Sequence, residues 1–163
     1  MTFSREDLLD FYILMGNTIS QIPVPNVPGK LYLSSRFVLN NFQEDNIQHI
    51  VTLFNMTRRI SEIEKHEVFD IQDSCNPEEV AKLENILDEV TESIHQSLQE
   101  GKNVCVHCMA GVSRSPTVVA DYLIKYHNIT NVIAYIKQHR GIINPNAGFM
   151  AMLKKRHGEN MAI

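Results

Sequence analysis

Several functions are excluded by what this 163-residue chain lacks. It has no long uninterrupted apolar run, which predicts no membrane-spanning helix and no membrane partner. It has no basic stripe: 15 Lys and Arg stand against 19 Asp and Glu, a net charge of −4, which argues against a nucleic-acid partner. Cysteine is scarce, with only Cys75, Cys105 and Cys108, and the seven histidines form no ligand spacing with them. The sequence therefore predicts no metal and no other cofactor. No internal repeat, long linker or low-complexity tract is present. The opening Met-Thr-Phe-Ser, soon followed by acids, reads as neither a signal peptide nor a myristoylation site. What remains, 44% hydrophobic and 21% charged, is the composition of one ordinary soluble domain with a sizeable core.

The informative stretch is Val104–Pro116, Val-Cys-Val-His-Cys-Met-Ala-Gly-Val-Ser-Arg-Ser-Pro. Cys108 lies six residues before Arg114, His107 precedes it, and Gly111 sits midway. The β-branched run Asn103–Val106 leads in as a buried strand. Pro116 fits the first turn of a helix leading out through Thr117–Ile124. The loop of His107, Met109, Ala110, Gly111, Val112, Ser113 and Arg114 thus ends at a helix N-terminus, where free N–H groups and the helix dipole favour an anion. Gly111 permits backbone angles that turn successive amides inward, and Arg114 offers a planar fork for two phosphate oxygens. The same field favours the thiolate form of Cys108, a nucleophile aimed at the bound phosphate, with a phosphocysteine as the expected intermediate. The leaving oxygen needs a proton. Asp73, on a loop after a strand expected at Glu67–Ile71, is the candidate acid; its rival Asp70 falls inside that strand by alternation. Loops at the C-terminal ends of parallel strands meet at one edge of the sheet, so Asp73 and Cys108 are expected to converge.

These residues resemble the active-site loop of the dual-specificity protein phosphatases, within the cysteine-dependent protein tyrosine phosphatase superfamily. The likeness extends from about Pro23 to Leu153: Leu31–Ser35 resembles the family's opening strand, Ile50–Asn55 its second, and Asn144-Pro-Asn-Ala-Gly-Phe149 its Pro-Asn-x-x-Phe segment. The resemblance implies Cys108 as nucleophile, Arg114 as phosphate clamp, Asp73 as general acid, Ser115 as the hydroxyl easing departure of the thiolate, His107 as a brace that tunes Cys108, and Asn146 as a buttress. It also implies phosphorylated proteins as partners and a shallow pocket open to phosphotyrosine, phosphoserine and phosphothreonine, since no segment resembles the phosphotyrosine-recognition loop of the tyrosine-specific members. Met109, Ala110 and Val112 are uncharged where members acting on phosphoinositides carry lysines. Two other readings remain: a phosphatase of a phosphoinositide or an RNA 5′ end, and a phospho-binding module that captures partners without hydrolysis.

Other features have plainer accounts. Cys105-Val-His-Cys108 spells C-x-x-C, but Cys105 falls within the strand and reads as a small buried hydrophobe. Cys75 is either a resolving thiol for an oxidised Cys108 or an incidental loop residue. His49, His66, His95, His127, His139 and His157 read mostly as surface residues, and Arg58-Arg59 as a solvated basic pair. A free catalytic thiol among so few cysteines points to the cytosol or nucleus. The oligomeric state leaves no trace in the pattern.

The element pattern predicts α/β architecture: a mostly parallel sheet of about five strands flanked by helices on both faces. A helix opened by a Ser4–Asp7 capping box ends near Gly16, within a helical segment over 1–22 that packs on a domain over 23–157, followed by a short tail over 158–163. Strands are expected at Leu31–Ser34, His49–Asn55, Glu67–Ile71 and Val104–Val106, with a short helical piece near Phe37–Gln43. Longer helices are expected at Pro77–Glu100, from the loop to about His127, from a Thr130 cap to Arg140, and after Asn146.

Overall fold

The computed structural model describes residues 4–161. The elements run α1 (Arg5–Gly16), β1 (Ile19–Ile22), β2 (Leu31–Ser34), α2 (Val38–Asn41), β3 (Ile47–Thr52), β4 (Lys65–Val68), α3 (Pro77–Gln99), β5 (Asn103–His107), α4 (Arg114–His127), α5 (Val132–Lys137) and α6 (Ala147–His157), closed by a 3₁₀ turn at Gly158–Met161. Five strands form one sheet in the order β1-β2-β5-β3-β4. β2, β5, β3 and β4 pair in parallel, and β1 pairs antiparallel to β2.

Alternation along the central strands divides the core. Leu33, Val51, Val104 and Val106 face α3, α4, α5 and α6, and Met161 of the final turn joins that cluster. Tyr32, Ile50 and Cys105 face the other way, under α2 and the β3–β4 connection, where Val38 and Ile63 cover them. The expected architecture is therefore present. The long helix α3 follows its sequence signals: Asn76 accepts from the Glu78 N–H at 3.0 Å, Pro77 opens the first turn, and Leu83, Leu87, Val90, Ile94 and Leu98 are fully buried.

Four expectations need correction. The segment 1–22 is not helical throughout, because Ile19–Ile22 adds the edge strand β1 to the sheet; a strand of four residues is too short to show a period. Of the apolar residues after the capping box, at positions 8, 9, 12 and 15, Leu9 is exposed and the side chains of the other three lie outside those described. β4 ends at Val68 rather than Ile71. The Phe69 N–H still reaches Thr52 O, but the Ile71 N–H turns back onto Phe69 O, which breaks the ladder and puts Asp70 on the loop, not within a strand. α5 starts at Val132, not after Thr130, because Asn131 has φ +49°, a left-handed angle that a helix cannot extend through. The histidines are not mostly surface residues: His49 is fully buried and bonded to Ser97 and Glu67, and only His139 among those six is exposed.

Candidate active site

Cys108 leaves the C-terminal end of β5 and Arg114 opens α4, so the loop between them closes over the end of the parallel sheet. Its conformation is held from outside, carbonyl by carbonyl. Cys108 O accepts from His107 Nδ1 at 3.1 Å, Met109 O from the Arg36 N–H at 3.1 Å, and Ala110 O and Gly111 O from Arg140 Nη2 and Nε at 3.3 and 3.0 Å. Val112 O accepts from the Asn144 N–H at 2.7 Å, and Ser113 O from the Thr117 N–H and hydroxyl at 3.2 and 2.8 Å. In a trans peptide the carbonyl and the following N–H point oppositely, so these bonds turn the N–H groups of the loop toward its interior. None of the N–H groups of residues 109–113 donates to another described residue. The result is a concave set of donors at the N-terminus of a 14-residue helix.

Gly111 is required twice over. Its φ is +67°, and a Cβ there would lie 2.6 Å from Ser34 O and 2.7 Å from Arg140 Nη2.

Cys108 and Arg114 meet at this loop. Cys108 is buried, with Sγ 3.2 Å from Ser115 Oγ. Arg114 Nη1 donates to Leu53 O at 3.3 Å and Ile71 O at 3.0 Å, which fixes the guanidinium over the ends of β3 and the β4 loop. Its Nε is buried and has no partner among the described residues, a donor left over for an incoming anion.

Asn146 ties the pieces together. Its N–H donates to Ser113 Oγ at 2.9 Å, its side-chain amide donates to Asp73 Oδ1 at 2.8 Å, and its Oδ1 caps α6 by accepting from the Phe149 N–H at 2.9 Å. The loop that carries Asp73 is also anchored by the Gln72 N–H on Glu79 Oε2 at 3.0 Å. Asp73 is thereby joined to the phosphate loop through Asn146. Asp70 instead lines a depression with Lys82 and Asn85 of α3.

The cysteines separate by setting. Burial pushes the Cys105 thiol far up from its usual value, as expected of an inert core residue. Cys75 is exposed, with Sγ 3.5 Å from Asn146 Oδ1.

Three residues in this frame were not marked by the sequence pattern. Arg140 is fully buried with no carboxylate partner among the described residues; besides the loop carbonyls it donates to Thr18 O at 3.0 Å and Ser20 Oγ at 3.1 Å. Its one sequence signal is an arginine set among Ile136, Ile142 and Ile143. Thr52 and His66 line up behind His107, and nothing in their spacing announces it.

Residues 31–158 match the family described as dual specificity phosphatase, catalytic domain. The chain belongs to the dual specificity phosphatases. Mouse dual specificity protein phosphatase 18 is 33% identical over 142 residues, covering 82% of this chain and 75% of that protein. Rat dual specificity protein phosphatase 5 is 34% identical over 135 residues, 79% of this chain, but this chain spans only 34% of its length. Among solved structures, DUSP15 superposes with a TM-score of 0.76 at 25% identity, covering 90% of this chain and 92% of that one. The human tyrosine phosphatase-like serine/threonine/tyrosine-interacting protein superposes with a TM-score of 0.71 at 28% identity, covering 85% and 94%. The domain is a cysteine-dependent protein phosphatase.

Two outcomes follow from the loop's construction. Gly111→Ala should abolish phosphatase activity and tungstate binding while far-ultraviolet circular dichroism stays native; retained tungstate affinity would contradict the geometry. His107 supplies a pH dependence. Burial pulls its pKa down to about 4, below the 6.5 of a free imidazole. The unfolded chain therefore takes up this proton first, and the stability from neutral His107 is complete above about pH 6.5 and lost as pH falls toward 4, up to about 3 kcal/mol. NMR titration should find its ring neutral at pH 5.5; a His107 ring half-protonated near 6.5 in the folded protein would refute this.

Proposed function

We propose that this phosphatase domain hydrolyses phosphotyrosine and phosphoserine or phosphothreonine in proteins through a phosphocysteine, with Cys108 as nucleophile, Arg114 as clamp, Asp73 as acid and base, and Ser115 as the thiolate's hydrogen-bond donor. The observation that carries this reading is the ring of inward N–H groups around Cys108, set by the carbonyl bonds above. The non-bridging phosphate oxygens accept from these amides and from the free Nε of Arg114. The Cys108 thiolate forms the S–P bond as the P–O ester bond breaks, and Asp73 delivers its proton to the departing oxygen. Water then attacks phosphorus, Asp73 takes a proton from it, and the S–P electron pair returns to Cys108 while the Ser115 hydroxyl donates to the sulfur. Asn146 holds Asp73 for both steps.

Beside the loop lies an open cleft of about 360 Å³ walled by Met109, Ala110, Val112, Ile142 and Arg36. Its mostly apolar wall suits a side chain of a peptide substrate better than the hydroxyls of an inositol, and the loop side chains Met109, Ala110 and Val112 offer no cation to a polyphosphate. We also infer a reducing location, cytosol or nucleus, from the three free thiols, one of which serves as nucleophile.

The test is turnover of an aryl phosphate and of a phosphopeptide panel in EDTA. Cys108→Ser should be inactive. Asp73→Asn should slow an alkyl phosphate by roughly 10²-fold or more while sparing an aryl phosphate with a good leaving group. Activity surviving in Cys108→Ser would overturn the nucleophile, and a leaving-group-dependent loss in Asp70→Asn but not Asp73→Asn would move the acid.

A further inference from the structure

His107 does not end the polar chain behind Cys108. Its Nε2 lies 2.7 Å from Thr52 Oγ1, and Thr52 Oγ1 lies 2.8 Å from His66 Nε2. His66 Nδ1 lies 3.0 Å from the Ile60 N–H. His107 is fully buried, in a T-shaped contact with Phe54 at 5.3 Å between centroids, and His66 is half-buried.

The protons in this chain have only one consistent placement. Cys108 O can only accept, so His107 Nδ1 carries its hydrogen. Burial keeps that ring neutral at physiological pH, so Nε2 is a bare lone pair that needs a donor. The Thr52 hydroxyl supplies it, and its single proton is then spent. Thr52 Oγ1 must accept from its other partner, which puts a hydrogen on His66 Nε2. His66 Nδ1 is left to accept, and the Ile60 N–H donates to it. Burial together with the Arg59 and His49 charges lowers the His66 pKa, in keeping with a neutral ring. Every donor points the same way, from Ile60 through His66, Thr52 and His107 to the carbonyl of Cys108.

We infer that Thr52 and His66 are positioning residues for the nucleophile loop: by fixing the tautomer and orientation of His107 they hold the Cys108–Met109 peptide with its N–H facing the phosphate. This rests on the catalytic reading above but concerns residues that touch neither substrate nor sulfur. It also joins the backbone of the β3–β4 connection, at Ile60 beside the exposed Arg58-Arg59 pair, to the Cys108 carbonyl through the side chains of His66, Thr52 and His107. Reversing any one bond leaves two donors or two lone pairs face to face in a buried place, where an unmet polar group is costly.

The test separates hydroxyl from shape. Thr52→Val keeps the volume and removes the donor, whereas Thr52→Ser keeps the donor. In Thr52→Val, kcat/KM and the rate of Cys108 alkylation by iodoacetate should each fall roughly tenfold or more. The ¹⁵N shifts of His107 should also leave the pure Nδ1–H tautomer pattern. Thr52→Ser should restore both rates and the tautomer signature. His66→Phe, which ends the chain one link further out, should shift the same signature in the same direction and gives the reading independently if Thr52→Val does not fold. Native alkylation rate and native His107 tautomer in folded Thr52→Val or His66→Phe would overturn the proposal. Alkylation and tautomer are read without turnover, so a wild-type chain inactive on phosphoesters would sink the catalytic reading and leave this one standing on its own measurements.

Discussion

Six consecutive carbonyls, from Cys108 to Ser113, each held by a donor from the frame around them, are the constraint on which the site depends. A loop of backbone amides has no intrinsic reason to point its N–H groups at one spot. Those amides repel one another, and without an anion they would rotate to find acceptors or water. Fixing the oxygens on the outer side removes that option. The donors come from every layer of the fold: the β2–α2 turn through Arg36, the α5–α6 connection through Arg140 and Asn144, α4 through Thr117, and β5 through His107. The preorganised electrostatics are thus a property of the whole domain, although the groups facing phosphate span fewer than ten residues.

Arg140 shows how this frame is energetically closed. A buried guanidinium without a carboxylate would ordinarily be costly, because removing it from water forfeits its hydration. Here its donors meet oxygens of the loop and of residues 18–20, so desolvation is offset by charge-assisted bonds rather than by an opposite charge. A carboxylate at that place would have cancelled the positive field behind the loop. Neutral carbonyl acceptors leave it in force on the side away from substrate.

The loop residues proposed to meet the phosphoester were legible in the sequence because they are packed into a short motif with a strand before and a helix after. Cys108, Gly111 and Arg114 could be singled out from chemistry and spacing, Ser115 only through the resemblance, and the helix α3 from its caps and stripe. Strand β1 was not legible, because four residues at a sheet edge carry too little alternation. The limits of β4 were misjudged because Phe69 and Ile71 continue the apolar pattern after the hydrogen-bond ladder has turned away, and Asp70 was misplaced with them. Thr52, His66 and Arg140 were invisible for a different reason: their roles come from contacts across 14 to 122 positions of chain, and no local pattern records such a meeting.

The antiparallel strand at the sheet's edge changes what counts as the smallest working piece of this protein. The stretch recognised by kinship starts at Leu31, yet the oxygens of Thr18 and Ser20 that steady the interior cation belong to the run before it. A fragment cut at the kinship boundary would retain every side chain proposed to meet the phosphoester. It would nevertheless unhook the guanidinium that keeps two of the loop's peptides the right way round.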